Sequence, residues 1–446
     1  MENYCIKTRK ITIIPSGDNR NDVYSYIRKM ASDLARIGNG VIRLHFNNQY
    51  DIDEISKSRN ITKSDAKKFV EEKLGTSIRN SGYQSLTELI DISSNIRTSF
   101  NSLIFKTTQN NFFDVLTGKM SIPSFRKTNI NIPFQFKGDA PFSLDEKEYY
   151  YFNLPSTKHT KETIGELKLS LFFGKDRSNN RIIVERILSG EYEICDSSIQ
   201  VKDKDLFLLL TYKQPISEKL LKPEKVMGID IGINRPVSFY ISDEKHQPRQ
   251  FNLNEHIQHE RLKLLKQRKS LQQSLKFSVG GHGRNRKLVA LNVLKEKELR
   301  WAKNKNHQIT KAIIDIALQY GVGVIKMEDL TGITQDTKNY FLKSWAYYQL
   351  QSFLEYKAKS YGIKILWVDP KNTSRTCPVC GNVDKENRHS TVFKCVNESC
   401  PDHDVEKDAD IVAALNISKS IGSDVKPKSK KGIISAKTKQ KDIVEA

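Results

Sequence analysis

The stretch "VMGIDIGINR", residues 226–235, decides the reading of the second half of this chain. Its apolar run has the composition of a buried strand, yet Asp230 stands in the middle with Gly228 and Gly232 on either side. An unpaired carboxylate inside a protein is costly unless a cation or hydrogen-bond donors surround it. The strand must therefore deliver Asp230 to a partner, and the rest of the chain has to supply one.

Working outward, "VMGIDIG", "VSFYIS" and "PRQFNL" read as three strands over 226–253. Two basic helical segments follow, "HIQHERLKLLKQRKSLQQSLKF" and "KLVALNVLKEKELRWAKNKNHQITKAIIDIALQYG", with "SVGGHGRNR" expected as a flexible link between them. Next come strand "VGVIKME", helix "YFLKSWAYYQLQSFLEYKAKSYG" and strand "IKILWVD". A cysteine-rich stretch and the helix "DADIVAALNISKSI" complete the series. The order β-β-β-α-β-α-β-α is that of an RNase H-like domain. That topology predicts convergence of Asp230, Glu328 and Asp410 at one edge of the sheet.

Three carboxylates in one place repel one another unless divalent cations lie between them. Donors that are all oxygen favour Mg²⁺ or Mn²⁺. Two such ions, about 3.5–4 Å apart, clamp a scissile phosphate, so the expected chemistry is phosphodiester hydrolysis. Each acid also has a plainer reading. Asp230 could be a turn carboxylate, or the phosphate-loop acid of an actin-like ATPase, although no second G-x-D-x-G strand is present. Glu328 could be an ordinary strand-end acid, and Asp410 a first-turn acid favoured by the helix dipole.

Four of the six cysteines cluster as Cys377-x2-Cys380, fourteen residues, then Cys395-x4-Cys400. In a reducing compartment this spacing reads as a structural, four-thiolate Zn²⁺ site folding a small ribbon. His403 is an alternative fourth ligand to Cys400. The chain carries 73 Lys+Arg against 52 Asp+Glu, a net charge of +21, which points to a polyanionic partner such as nucleic acid. Arg268, Lys269, Arg284, Arg286 and Lys287 are the candidate backbone contacts; the plainer reading is a solvated helix face. No apolar run reaches the ~18 residues of a membrane helix. The start "MENYCIKTRKITIIPS" lacks the apolar core of a signal peptide, so the expected location is the cytoplasm, or the nucleus of a eukaryotic host.

Residues 22–118 show helical periodicity, with Thr62 or Ser64 capping one helix and Gly75 ending it. Over 120–222 short strands are expected at "INIPFQF", "EYYYFNL", "GELKLSLFF", "RIIVERILSG" and "LFLLLTYKQ". The fold class is thus a multidomain α+β protein: a β domain interrupted by helices, then an RNase H-like domain with an inserted zinc ribbon.

"GIDIGIN", "IKMEDL", "NTSRTCPVCG" and "DADIVAALNI", in that order, resemble the RuvC-type nuclease half of the TnpB proteins, compact type V CRISPR effectors and Fanzor nucleases. The resemblance covers about 224–420 by motif and 1–222 by layout only. It implies a split β-barrel wedge at 1–21 and 119–223 with a helical recognition insertion at 22–118. It further implies a RuvC-like nuclease at 224–371 and 405–421 and a target-nucleic-acid-binding zinc ribbon at 372–404, while the Lys-rich composition of 422–446 reads as a basic disordered tail. The implied activity is RNA-guided DNA cleavage, with a guide RNA and double-stranded target DNA as partners and no membrane. Whether one copy or a homodimer sits on a guide RNA stays open, as does transposon or CRISPR origin. By motif, Asp230, Glu328 and Asp410 inherit the catalytic metal-ligand roles, and the four cysteines the zinc site. One departure stands out: Val412 replaces the Asn of the family's D-x-N-A-A pattern. That motivates a rival expectation, an RNA-guided DNA-binding repressor with little cleavage.

Overall fold

The computed structural model describes residues 4–136, 141–146, 148–175, 179–216, 221–232, 237–242, 249–250, 254–278, 280–328 and 347–424. It divides into two compact units, Met1–Pro215 and Ile216–Ala446.

The first unit opens with strand β1 (Tyr4–Pro15) and four helices: α1 (Arg20–Ser58), α2 (Lys63–Leu74), α3 (Ile78–Leu89) and α4 (Ser94–Leu116). Helix α1 buries Val23, Ile27, Met30, Leu34, Ile37 and Val41 at three- and four-residue spacings, the signature of one apolar stripe. The Thr62 side chain caps α2 by accepting from the Asp65 amide, and Gly75 ends it at φ 65°, a left-handed turn suited to glycine.

Strands and two short helices follow: β2 (Asn129–Phe134), β3 (Ser143–Leu144), β4 (Tyr150–Asn153), α5 (Lys158–Thr163), β5 (Lys168–Phe172), α6 (Asn180–Leu188), β6 (Glu193–Ile194), β7 (Ser197–Lys202) and β8 (Asp205–Pro215). The sheet order is β2-β7-β8-β1-β5-β4-β3, with β6 on β8. Among the described residues no backbone pairing joins β2 to β3, so the expected barrel is an open path of hydrogen bonds. Aromatic rings span the opening: Phe134 of the end strand β2 stacks on Phe152 of β4, the neighbour of β3, at 5.7 Å. "RIIVERILSG", expected as a strand, is instead mostly helix α6, because Ile183, Val184 and Ile187 fall on one helical face and are buried together.

The second unit is built on β9 (Lys222–Asp230), β10 (Ser238–Ile241), β11 (Arg249–Gln250), α7 (Asn254–Lys276), α8 (Gly281–Gln319), β12 (Val322–Glu328), α9 (Tyr347–Lys359) and β13 (Lys364–Val368). The short ribbon strands β14 (Arg388–His389), β15 (Val392–Phe393) and β16 (Lys407–Asp408) and helix α10 (Ala409–Lys419) follow. The main sheet runs β11-β10-β9-β12-β13. β10 is antiparallel to β9, whereas β12 lies parallel to both β9 and β13. One face carries Met227, Ile229, Ile325 and Met327, buried in a cluster with Ile309, Ile313, Leu350 and Leu354 from α8 and α9.

Two expectations shift here. "SVGGHGRNR" is not a long flexible link, since α8 begins at Gly281 and takes in the arginines. Arg284 donates to the Ser278 and Leu275 carbonyls at 2.9 and 3.3 Å, and Lys287 to the Ser274 carbonyl at 3.0 Å. These bonds pin the start of α8 to the end of α7 and satisfy carbonyls the helix leaves open. Of the tail expected over 422–446, residues 425–446 lie outside the described residues, while Trp367 and Ser423 exchange backbone hydrogen bonds of 2.9 Å. The helix expected over 340–362 is described from Tyr347.

Candidate active site and thiolate cluster

Register places the first two acids. Gly228 pairs with Lys326 and Ile229 with Met327 across the parallel strands, so Asp230 falls opposite Glu328. Side chains alternate along a strand, which puts Asp230 on the face of Gly228 and Glu328 on that of Lys326. Helix α10 lies on this face. A Cβ at Gly228 would sit 2.1 Å from the Ala414 carbonyl oxygen and 2.5 Å from the Ser418 amide nitrogen. The glycine is needed for close approach of backbone to backbone.

The direction of α10 places the third acid. Its C-terminal carbonyls at Ser418 and Ser420 accept from Lys326 Nζ at 2.9 and 2.7 Å. The helix therefore runs antiparallel to the strands, with its first turn at their carboxyl ends. Four helical residues rise about 6 Å and two strand residues about 6.7 Å, so Asp410 comes level with Asp230. Asp408 caps the helix, accepting from the amides of Asp410 and Ile411 at 3.0 and 3.3 Å.

The electrostatics record the convergence. Burial, then the Glu328 and Asp410 charges, push the Asp230 carboxyl well above the usual carboxylate range, with Arg388 acting the other way. Burial also raises Glu328, opposed by the Thr373 hydroxyl and Arg388. Thr373 Oγ1 donates to Glu328 Oε1 at 2.5 Å, and Arg388 pairs with Asp410 Oδ1 at 3.3 Å. Gln351 Nε2 of α9 holds the Glu328 carbonyl at 2.7 Å. The trio does not close as tightly as the cysteines: among the described residues, only the cysteine quartet has ligand atoms all within 4.8 Å of one another. The donor set, all oxygen and partly buried with two like charges facing Asp230, nevertheless suits a divalent cation.

Within the quartet, Cys377 and Cys400 sulfurs lie 3.8 Å apart and Cys380 and Cys395 sulfurs 3.6 Å apart. A tetrahedron with Zn–S bonds of about 2.3 Å has edges of about 3.8 Å, so the cluster fits one zinc ion. The Asn382 backbone pulls the exposed Cys380 thiol down to about 6, whereas burial pushes Cys395 up to about 12. His403 stands outside the quartet, its amide donating to the Cys400 carbonyl. Asn387, fully buried, braces the ribbon by donating to the Arg375 and Asn382 carbonyls and accepting from the Val396 amide.

Of the five expected nucleic-acid contacts, Arg268 is ion-paired with Glu298, and Arg284 and Lys287 cap α7. Lys269 and Arg286 are exposed. Sequence reading missed Arg388 and Thr373. "NTSRTC" signalled a loop before the cysteines, but nothing in the spacing ties Thr373 to Glu328 or Arg388 to Asp410. Val412, the residue that motivated a non-cleaving reading, is buried with Phe393, Cys377, Cys395 and Cys400 in one cluster. Among the described residues no helix is long and apolar enough to cross a membrane.

Two strand-end carboxylates and a third in the first turn of the helix packed on that sheet thus lie beside a thiolate ribbon, whose Arg388 and Thr373 reach Asp410 and Glu328. Residues 347–417 match the family described as "Cas12f1-like, TNB domain". The chain is 34% identical over 319 residues to the CRISPR-associated endodeoxyribonuclease Cas12f1 of Sulfoacidibacillus thermotolerans, covering 68% of this chain and 71% of that protein. It is 36% identical over 151 residues to a TnpB-like protein of Methanocaldococcus jannaschii, covering 31% of this chain and 51% of the other. The fold resembles that of the protein in a cryo-EM structure of a Cas12f1–sgRNA–target DNA complex, with TM-score 0.68, 19% identity and coverage of 94% and 99% of the two chains. This chain belongs to the family of TnpB proteins and compact type V effectors, alongside the Cas12f1 proteins.

Proposed function

We propose that this chain is an RNA-guided DNA endonuclease that hydrolyses phosphodiester bonds at Asp230, Glu328 and Asp410. The observation that carries the reading is the seating of α10 on Gly228, which brings the first turn of that helix to the paired strand ends bearing Asp230 and Glu328. The strand order, with β9 central and β12 and β13 parallel to it, supports an RNase H-like, RuvC-type nuclease domain. The three carboxylates would hold Mg²⁺ or Mn²⁺, which supplies charge stabilisation at a scissile phosphate and an activated water. Arg388 pairs with Asp410 and adds positive charge at the rim where a phosphate would approach. Cys377, Cys380, Cys395 and Cys400 would hold a structural Zn²⁺, whose ribbon fixes Arg388 and Thr373 against the acids.

Guide RNA and double-stranded target DNA are the proposed partners. Base pairing reads the target and the first unit grips RNA and a short flanking motif, as wedge strands with a helical recognition insertion. Lys269 and Arg286 are proposed backbone contacts. The test is incubation of the purified chain and its copurifying RNA with a supercoiled plasmid carrying the matching target and Mg²⁺. Nicked and linear products are expected from the wild type, and a gel shift without cutting from Asp230→Ala, Glu328→Ala and Asp410→Ala. A wild type that shifts the plasmid and leaves it supercoiled would replace this reading with the repressor.

A further inference from the structure

The loop between β13 and the first cysteine is built to a degree its place on the surface does not require. Asn372 adopts a left-handed conformation, φ 64°. Its carbonyl accepts from the Arg375 amide, the Thr376 amide and Thr376 Oγ1, at 2.9, 3.0 and 2.9 Å. From the other side, buried Asn416 of α10 donates to the Thr373 and Thr376 carbonyls at 2.8 and 2.7 Å. Backbone held in a sparsely populated region persists where its surroundings over-determine it, and such sites cluster at functional centres. What this loop delivers is one hydroxyl. Thr373, 7% exposed, donates from Oγ1 to Glu328 Oε1, with the Pro370 carbonyl as a longer alternative at 3.3 Å.

We propose that Thr373 is a positioning residue that fixes the Glu328 carboxylate for cation binding, and that Asn416 ties that position to the helix bearing Asp410. The inference rests on the reading of Asp230, Glu328 and Asp410 as a divalent-cation site. Thr373 acts here as a donor, its proton pointing at Glu328, and not as a ligand of the cation. Its work is to remove the rotational freedom of a long carboxylate side chain and leave the second oxygen, Oε2, to the site. Asn416 makes the geometry common to two acids: the same helix that presents Asp410 holds the loop that orients Glu328. Partners of this kind, one step removed from the ion, change metal affinity by about 10- to 100-fold when removed.

The test is direct Mn²⁺ binding to the full chain without nucleic acid, read from the electron paramagnetic resonance of free Mn²⁺. Zinc content and melting temperature are measured on the same samples. Thr373→Val keeps the branched shape and removes the hydroxyl; about 10-fold weaker Mn²⁺ binding with full zinc content is expected. Thr373→Ser returns the hydroxyl and is expected to restore binding to within about 3-fold of wild type. Wild-type Mn²⁺ affinity in Thr373→Val overturns the inference. Should that variant lose zinc, Thr373→Ala takes its place, and the same two results decide. Asp230→Ala separates the levels: if it binds Mn²⁺ as the wild type does, the cation site itself is refuted. If it loses Mn²⁺ while both Thr373 variants keep it, only the positioning role falls.

Discussion

Replacing Gly228 with alanine tests the seating of α10 with a single methyl group. The backbone there is not left-handed, so alanine brings no conformational strain of its own; the effect is steric. The new carbon would stand 2.1 Å from the Ala414 oxygen and 2.5 Å from the Ser418 nitrogen, both main-chain atoms that cannot rotate away. A carbon contact is comfortable near 3.5 Å, so α10 must lift by about 1.4 Å at its middle or slide along the strands. Overpacking of this kind costs about 1–3 kcal/mol. Displacing a reacting group by about 1 Å costs roughly 100-fold in rate. Gly228→Ala should therefore retain its zinc, melt several degrees lower and cut a guide-matched plasmid about 100-fold more slowly than wild type. The assay follows the rate of supercoiled DNA loss with Mg²⁺, alongside melting curves and zinc analysis. Wild-type cleavage by a folded Gly228→Ala protein would refute the claim that this helix sets the position of Asp410.

Three further outcomes are expected. Gly40 lies within α1, and a methyl group added there would meet none of the described residues within 4 Å, so Gly40→Ala should raise the first unit's stability by about 0.5–1 kcal/mol in a denaturant titration. Among the described residues neither ring nitrogen of buried His45 has a hydrogen-bond partner, and burial lowers its pKa to about 4. The unfolded chain takes up that proton near pH 6.5, so stability is lost as pH falls from 6.5 towards 4, by roughly 3 kcal/mol; urea unfolding of wild type against His45→Leu at pH 7 and pH 4.5 measures the difference. Stripping the thiolate cluster with a strong chelator should release one zinc per chain and abolish plasmid cutting even after Mg²⁺ is restored, because Arg388 and Thr373 reach the acids from the ribbon. Retained cutting by zinc-free protein would contradict that coupling.

Much of the second unit is legible in the sequence because its signals are local. "VMGIDIG" and "VGVIKME" announce strands by apolar content, and the paired cysteine spacings announce a ribbon. The helices of the first unit announce themselves through three- and four-residue periodicity and the Thr62 and Gly75 caps. "RIIVERILSG" misleads because its β-branched residues suit a strand while their spacing suits a helix, and tertiary burial of one face settled it. "SVGGHGRNR" misleads because glycines suggest freedom, whereas the following Arg284 and Lys287 bind the carbonyls of α7. Those same two residues illustrate why the count of basic side chains overstates the surface free for a partner. Thr373 and Arg388 were invisible for another reason. Their partners are 45 and 22 residues away, and a contact at that separation leaves no periodic trace.

The placement of Asp410 behind the ribbon also sets an order of events during synthesis. A chain leaving the ribosome exposes Asp230 and Glu328 well before Asp410, and the thiolate quartet must emerge in between. Domains generally fold as they emerge, amino-terminal part first. A translation product broken off short of α10 would present two acids without the third. The three-acid chemistry proposed above would thus become possible only after the thiolate ribbon and α10 have both emerged.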